Sequence, residues 1–160
     1  MERLVEKTIT ALRERLASQG TLLIQQEEGF VCHATCTFNP PATDEEITQL
    51  EQQIGRQLPA DYRAFLKLTN GCRLFGDVHS GGEAYVYSVE QLCDYNEQED
   101  LSIGRFAVAY IYQDEIVMDR EGLYWRGHID SFSNAVPLRM SFEEWLDRFV
   151  VCQGVKFWLW

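Results

Sequence analysis

The chain is short of positive charge: 14 lysines and arginines stand against 25 aspartates and glutamates, a formal net charge of −11 over 160 residues. So acidic a surface repels phosphate backbones and anionic lipid, which argues against direct nucleic-acid or membrane binding and in favour of a basic protein partner. Acidity also serves solubility alone, so charge by itself does not choose between the two. Long apolar runs are missing as well. Nothing approaches the ~18 consecutive residues of a membrane span, and the start, MERLVEKTITALRERL, is charged throughout and unlike a signal peptide. A cytoplasmic, unprocessed protein is expected.

Metal and nucleotide signatures are equally scarce. The five cysteines (Cys32, Cys36, Cys72, Cys93, Cys152) are odd in number and scattered, which suits reduced, packed thiols better than a disulfide framework. Cys32 and Cys36 bracket His33. On a strand, however, the two sulfurs share a face with Phe30, Ala34 and Phe38 while the imidazole points away, and a zinc site needs two further ligands. The glycine-containing loop from Gly76 to Glu83 lacks both phosphate-binding spacings and has no lysine. His33, His79 and His128 are far apart, and no nucleophile signature surrounds a serine or cysteine. The carboxylates fall mainly in turns, caps and exposed helix faces rather than as a catalytic pair. No catalytic residue, metal or cofactor is expected.

What is present is strong local grammar. With 46% hydrophobic and 12% aromatic residues the chain can bury one substantial core as a single domain, 1–160. Val5, Ile9, Leu12 and Leu16 form one stripe of an amphipathic helix over residues 1–19, stopped by Gly20. Thr21 to Gln25 and Phe30 to Phe38 read as a hairpin. The stretch from Thr43 to Gly71 then carries a capping box (Thr43, Glu46), an apolar stripe (Ile47, Leu50, Ile54), a glycine stop (Gly55), a Leu58-Pro59 restart and an Asn70-Gly71 end. Ser88 with Gln91 and Ser141 with Glu144 predict two further helix starts. Between them Ile103 to Ile111, Ile116 to Asp119 and Leu123 to His128 read as an antiparallel meander, its first turn at Gln113-Asp114. The last helix presents Phe142, Trp145, Leu146, Phe149 and Val150. The closing VKFWLW is apolar at both parities and reads as a terminal strand that needs a cover, which makes it a candidate homodimer contact.

The pattern T-D-E-E-I-x-x-L-E-x-x-I-G-x-x-L-P-x-D-Y-x-x-F-L-x-x-x-N-G, followed by YVYSVEQL, EIVMD, GLYW and SFEEWL, resembles the SUKH superfamily over roughly residues 42–150. The resemblance implies an α+β fold: a mostly antiparallel, twisted sheet packed against several helices. It also implies a non-enzymatic role. In bacteria this is chiefly that of immunity proteins neutralising polymorphic toxins, many of them nucleases; in fungi it is that of regulators and interaction scaffolds, the alternative here being a scaffold for a signalling or cell-wall-assembly partner. The helix at 1–19 and the tail at 155–160 lie outside the resemblance. Combined with the net charge, it points to acidic loops as the surface for a basic toxin: Asp77 and Glu83, then Asp94, Glu97, Glu99 and Asp100, and the Asp114-Glu115 turn.

Overall fold

The structure is a computed structural model that describes residues 2–97 and 104–160. The described residues form five α-helices and one eight-stranded antiparallel sheet whose strands lie side by side in chain order. The strands are β1 (Leu22–Gln25), β2 (Val31–Phe38), β3 (Cys72–Asp77), β4 (Ala84–Val86), β5 (Phe106–Ile111), β6 (Asp114–Met118), β7 (Leu123–Gly127) and β8 (Val136–Pro137). The helices are α1 (Leu4–Gln19), α2 (Asp44–Ile54), α3 (Ala60–Leu68), α4 (Val89–Asn96) and α5 (Phe142–Val151). This is the expected α+β architecture.

All three predicted capping boxes form. Thr43 Oγ1 accepts the N–H of Glu46 at 3.1 Å while the Glu46 carboxylate takes the N–H of Thr43 at 2.7 Å; Ser88 with Gln91 and Ser141 with Glu144 repeat the exchange. Each satisfies amide groups that no intrahelical carbonyl can reach. Gly55 ends α2 in the left-handed region, at φ 73°. Glu51 then ties the turn down, accepting both the N–H of Leu58 and the Arg63 guanidinium at 3.0 Å.

The rest of the Thr43 to Gly71 stretch is spent on joining elements. Asp61 accepts the N–H of Glu143, in the first turn of α5, at 3.1 Å, so a carboxylate from α3 sits at the positive end of another helix. Asn70 Oδ1 does the same for Val89 in the first turn of α4, at 2.8 Å. Gly71 has φ 85°, and a Cβ there would lie 2.6 Å from the backbone nitrogen of Ser88, so the Asn-Gly end is fixed by backbone approach.

The core is aromatic where the helices meet. Phe142 packs edge-on against Tyr62 and Phe65 with ring centroids 4.8 and 5.3 Å apart, and Trp145 stacks on Phe149 at 5.4 Å. α1 belongs to this core: Val5, Ile9 and Leu12 are buried, and Thr8 donates to Asp147 of α5 at 2.6 Å.

The tail departs from expectation. Gln153 and Gly154, with φ 55° and 85°, turn the chain back, and Phe157–Leu159 is a single 3-10 turn rather than a strand. Trp158 packs against Trp145 and Phe149, with centroids 6.2 and 6.1 Å apart, so the domain supplies its own cover for that ring. Leu159 and Trp160 remain exposed, Trp160 at 76%. Phe30 also differs: it closes the β1–β2 turn and is exposed, whereas Ala34 and Cys36 do face the core.

Candidate functional site

Strand pairing carries one row of side chains across the sheet. Arg73 pairs with Tyr85, Tyr85 with Tyr110, Tyr110 with Glu115, and Glu115 with Arg126, spanning β3 to β7. Their chain neighbours Val86, Ala109 and Ile116 are buried in the core. Because successive strand residues point to opposite faces, the row lies on the face turned away from those core residues.

At its end stands an ion pair out of solvent. Glu115 is 3% exposed and Arg126 4%. Glu115 Oε2 receives both Arg126 Nε at 2.8 Å and Nη2 at 2.5 Å, a fork-to-carboxylate geometry that a lysine could not reproduce. Arg126 also donates to the Asp130 carbonyl at 2.5 Å and lies 3.7 Å over the Phe132 ring. The other carboxylate oxygen, Glu115 Oε1, is 3.0 Å from His128 Nδ1.

These contacts revise the expected Asp114-Glu115 turn. The turn is made by Tyr112 and Gln113, both at positive φ, and β6 begins at Asp114. Glu115 is therefore internal to the sheet and occupied by Arg126. Asp114, 9% exposed, faces the tail, where it accepts Trp158 Nε1 and Lys156 Nζ, each at 3.2 Å. Neither carboxylate is a solvated charge available to a partner.

Beside Glu115 the row borders a cavity of about 480 Å³ lined by Tyr85, Tyr87, Gln91, Tyr95, Tyr110 and His128. α4 builds one wall. Asn96 fixes that helix to β5 by donating to the Ala107 carbonyl at 3.0 Å and accepting the Ala107 N–H at 2.8 Å. Tyr95 then lies against Tyr87, 4.9 Å between centroids, while Tyr110 meets the His128 ring edge-on at 5.3 Å. Burial, with the Glu115 charge adding to it, raises the Tyr87 hydroxyl pKa far above the ordinary phenol range. Tyr95 is 57% exposed and forms the entrance.

The remaining expected acids divide into two groups. Asp94 and Glu97 are exposed, the first on α4 and the second just past its end, flanking Tyr95. Glu99 and Asp100 lie outside the described residues. Asp77 and Glu83 converge on a different cavity, of about 450 Å³, with Phe30, Cys32 and Tyr112. Asp77 caps its own loop, accepting the N–H groups of His79 and Ser80 at 2.7 and 3.0 Å, and these bonds hold its carboxyl below its ordinary pKa. A third cavity, about 550 Å³, opens beside the Leu58-Pro59 motif between Arg120 and Arg139. Its internal carboxylates are committed, Asp61 to α5 and Asp119 to Arg105 at 3.1 Å and to its own turn.

Among the described residues, no three histidine, cysteine, aspartate or glutamate side chains converge as a metal site. All five cysteines are free, Cys36 and Cys72 buried. No helix among the described residues is long and apolar enough to cross a membrane. The site residues that composition and motif overlooked are Tyr85, Tyr87, Tyr95, Tyr110 and Arg126. The signal for Tyr85, Tyr87 and Tyr110 was present in the two-residue period of YVY and AYIY, whereas nothing local marks Tyr95 or Arg126, and which rings meet depends on strand register and on where α4 docks.

Comparison with known proteins bears on the whole arrangement. The SMI1 / KNR4 family (SUKH-1) matches residues 41–148. The Bacillus subtilis (strain 168) uncharacterized protein YnaB is 32% identical over 132 residues, covering 78% of this chain and 88% of that protein. Uncharacterized protein YobM of the same strain is 27% identical over 173 aligned positions, covering 100% and 94%.

Proposed function

Since the chain belongs to the SMI1 / KNR4 family (SUKH-1), we propose that it is a non-enzymatic, immunity-type protein of the cytoplasm that binds and neutralises a cognate toxin domain with a basic surface. The observation that carries the reading is the net charge of −11 combined with an aromatic cavity walled by α4, a helix that carries the exposed acid Asp94 and is followed by exposed Glu97. Such a surface supplies two different things. Acidic groups steer a basic partner and set which partners are rejected, raising association rates by up to ~10–10³-fold at low salt. Tyrosines supply the buried contact area in which most binding energy concentrates. A nuclease is a fitting target, because its active surface is built to hold phosphate and accepts carboxylates in the same place.

Glu83 and Asp77 extend the acidic surface at the neighbouring cavity; Asp114 and Glu115 shape the scaffold beneath it. The test is co-expression with the product of the adjacent open reading frame, which the reading expects to be a toxin domain. Protection of the cells, and co-purification of the two proteins, would support the reading. Recovery of a stable regulatory partner with no protection would replace it with a scaffold role.

A further inference from the structure

We propose that the tyrosine cavity receives one guanidinium side chain, an arginine of the basic partner, stacked among Tyr85, Tyr87, Tyr95 and Tyr110; this rests on the reading above that the partner is a basic protein. Three features select that chemistry. The wall is aromatic: Tyr87 and Tyr95 lie 4.9 Å apart at 34°, Tyr110 and His128 stand perpendicular at 5.3 Å, and all four line the cavity with Tyr85. A cation is drawn to the negative face of such rings, and a planar guanidinium also stacks on them, which a compact, strongly hydrated ammonium does less well.

At the Glu115 end of the row the Arg126 charge is matched by the carboxylate in a two-bond pair, while Arg73, beside Tyr85, has no ion-pair partner among the described residues. Charge around the site favours a guanidinium, because Glu90, Asp94 and Glu97 are exposed on α4, the helix that builds one wall, and just past its end. Acids on that helix make the local potential negative, which disfavours an anion and draws a cation. The fold already accommodates the same contact internally, with Arg105 3.9 Å over Tyr124 and Arg126 3.7 Å over Phe132.

The probes are Nα-acetyl-arginine amide and its neutral isostere Nα-acetyl-citrulline amide, titrated into the full chain and followed by NMR. The arginine derivative is expected to shift the Gln91, Tyr95, Tyr110 and His128 signals saturably, with a midpoint on the order of millimolar. The citrulline derivative and Nα-acetyl-lysine amide should each bind roughly fivefold more weakly or worse, and Tyr95→Ala should weaken the arginine probe by roughly fivefold. Tyr95 is exposed, so that variant keeps the core; Tyr110→Phe, which retains the ring, should preserve binding. Equal binding of citrulline or lysine, shifts confined to the acids without the tyrosines, or indifference to Tyr95→Ala would each overturn the assignment. Arginine binding in a chain that protects against no toxin would sustain the cavity assignment while removing the immunity reading. Protection by a chain whose cavity ignores arginine would do the reverse.

Discussion

Replacing Arg126 with methionine tests the foundation of the site. The substitution keeps a long side chain against Phe132 but removes the two bonds to Glu115 Oε2 and the bond to the Asp130 carbonyl. Glu115, 3% exposed, is then a buried carboxylate that has lost its charge partner, keeping the His128 contact on its other oxygen. Breaking a buried pair from one side costs about 3–5 kcal/mol. Against a total stability of about 5–15 kcal/mol this is a large fraction, and at about 2–4 °C per kcal/mol the melting temperature should fall by about 10 °C. The double variant Glu115→Leu/Arg126→Met should recover most of the loss, because replacing both charges by apolar groups removes the desolvation penalty along with the attraction. Urea denaturation of the wild type, the single variants Arg126→Met and Glu115→Leu, and the double variant gives the coupling energy directly, provided the m-value is unchanged. A single-variant cost below about 1 kcal/mol, or a double variant no better than the single, would refute the claim that the pair is buried and mutually dependent.

Three other perturbations probe separate parts of the account. Gly71→Ala should destabilise by about 2 kcal/mol or more, since it adds left-handed strain to a Cβ placed 2.6 Å from Ser88 N, whereas Gly55→Ala, with open space around it, should cost only about 1 kcal/mol; thermal melts separate them. Trp158→Ala should cost about 2–3 kcal/mol, less than a fully buried tryptophan, because it strips packing from Trp145 and Phe149 and one bond from Asp114; unchanged stability would mean that the tail does not close the core, and sedimentation of the wild type tests whether exposed Leu159 and Trp160 pair subunits. Asp119 is pushed up by burial but held on balance below its ordinary 3.8 by the N–H groups of Glu121 and Gly122 and by Arg105 and Tyr124. A depressed carboxyl pKa contributes stability that is present above the unfolded value and lost as pH falls through the folded one. Asp119→Asn should therefore flatten the loss of stability below about pH 4, read from acid titration of the folded fraction.

The local grammar was legible and the non-local geometry was not. Three capping boxes, the Gly55 stop and the Leu-Pro restart lie within a few residues of one another, so their physics is contained in short strings. The β5–β6 turn was misplaced because Tyr112 and Gln113 both take positive φ without glycine, asparagine or aspartate to announce it. That one shift moved Asp114 and Glu115 from a solvated turn into the sheet. The tail looked like a strand because both parities are apolar; Gln153 and Gly154 redirect it, and Trp158 and Lys156 hold it against Asp114, 44 residues away in the chain. The aromatic cavity was the least legible feature. Its rings come from β4, α4 and β5, and their meeting depends on Asn96 pairing with Ala107.

The central proposal, that an acidic and aromatic surface captures a basic toxin domain, is tested most directly by measuring association with a toxin that this chain protects cells against, by stopped flow at rising salt. For the wild type, the association rate should fall about tenfold or more between low and high ionic strength. Charge reversal at Glu83, Asp94 and Glu97 together should remove most of that dependence while the fold stays intact. A complex whose association rate ignores both salt and these reversals, or the absence of any complex with that toxin, would contradict it.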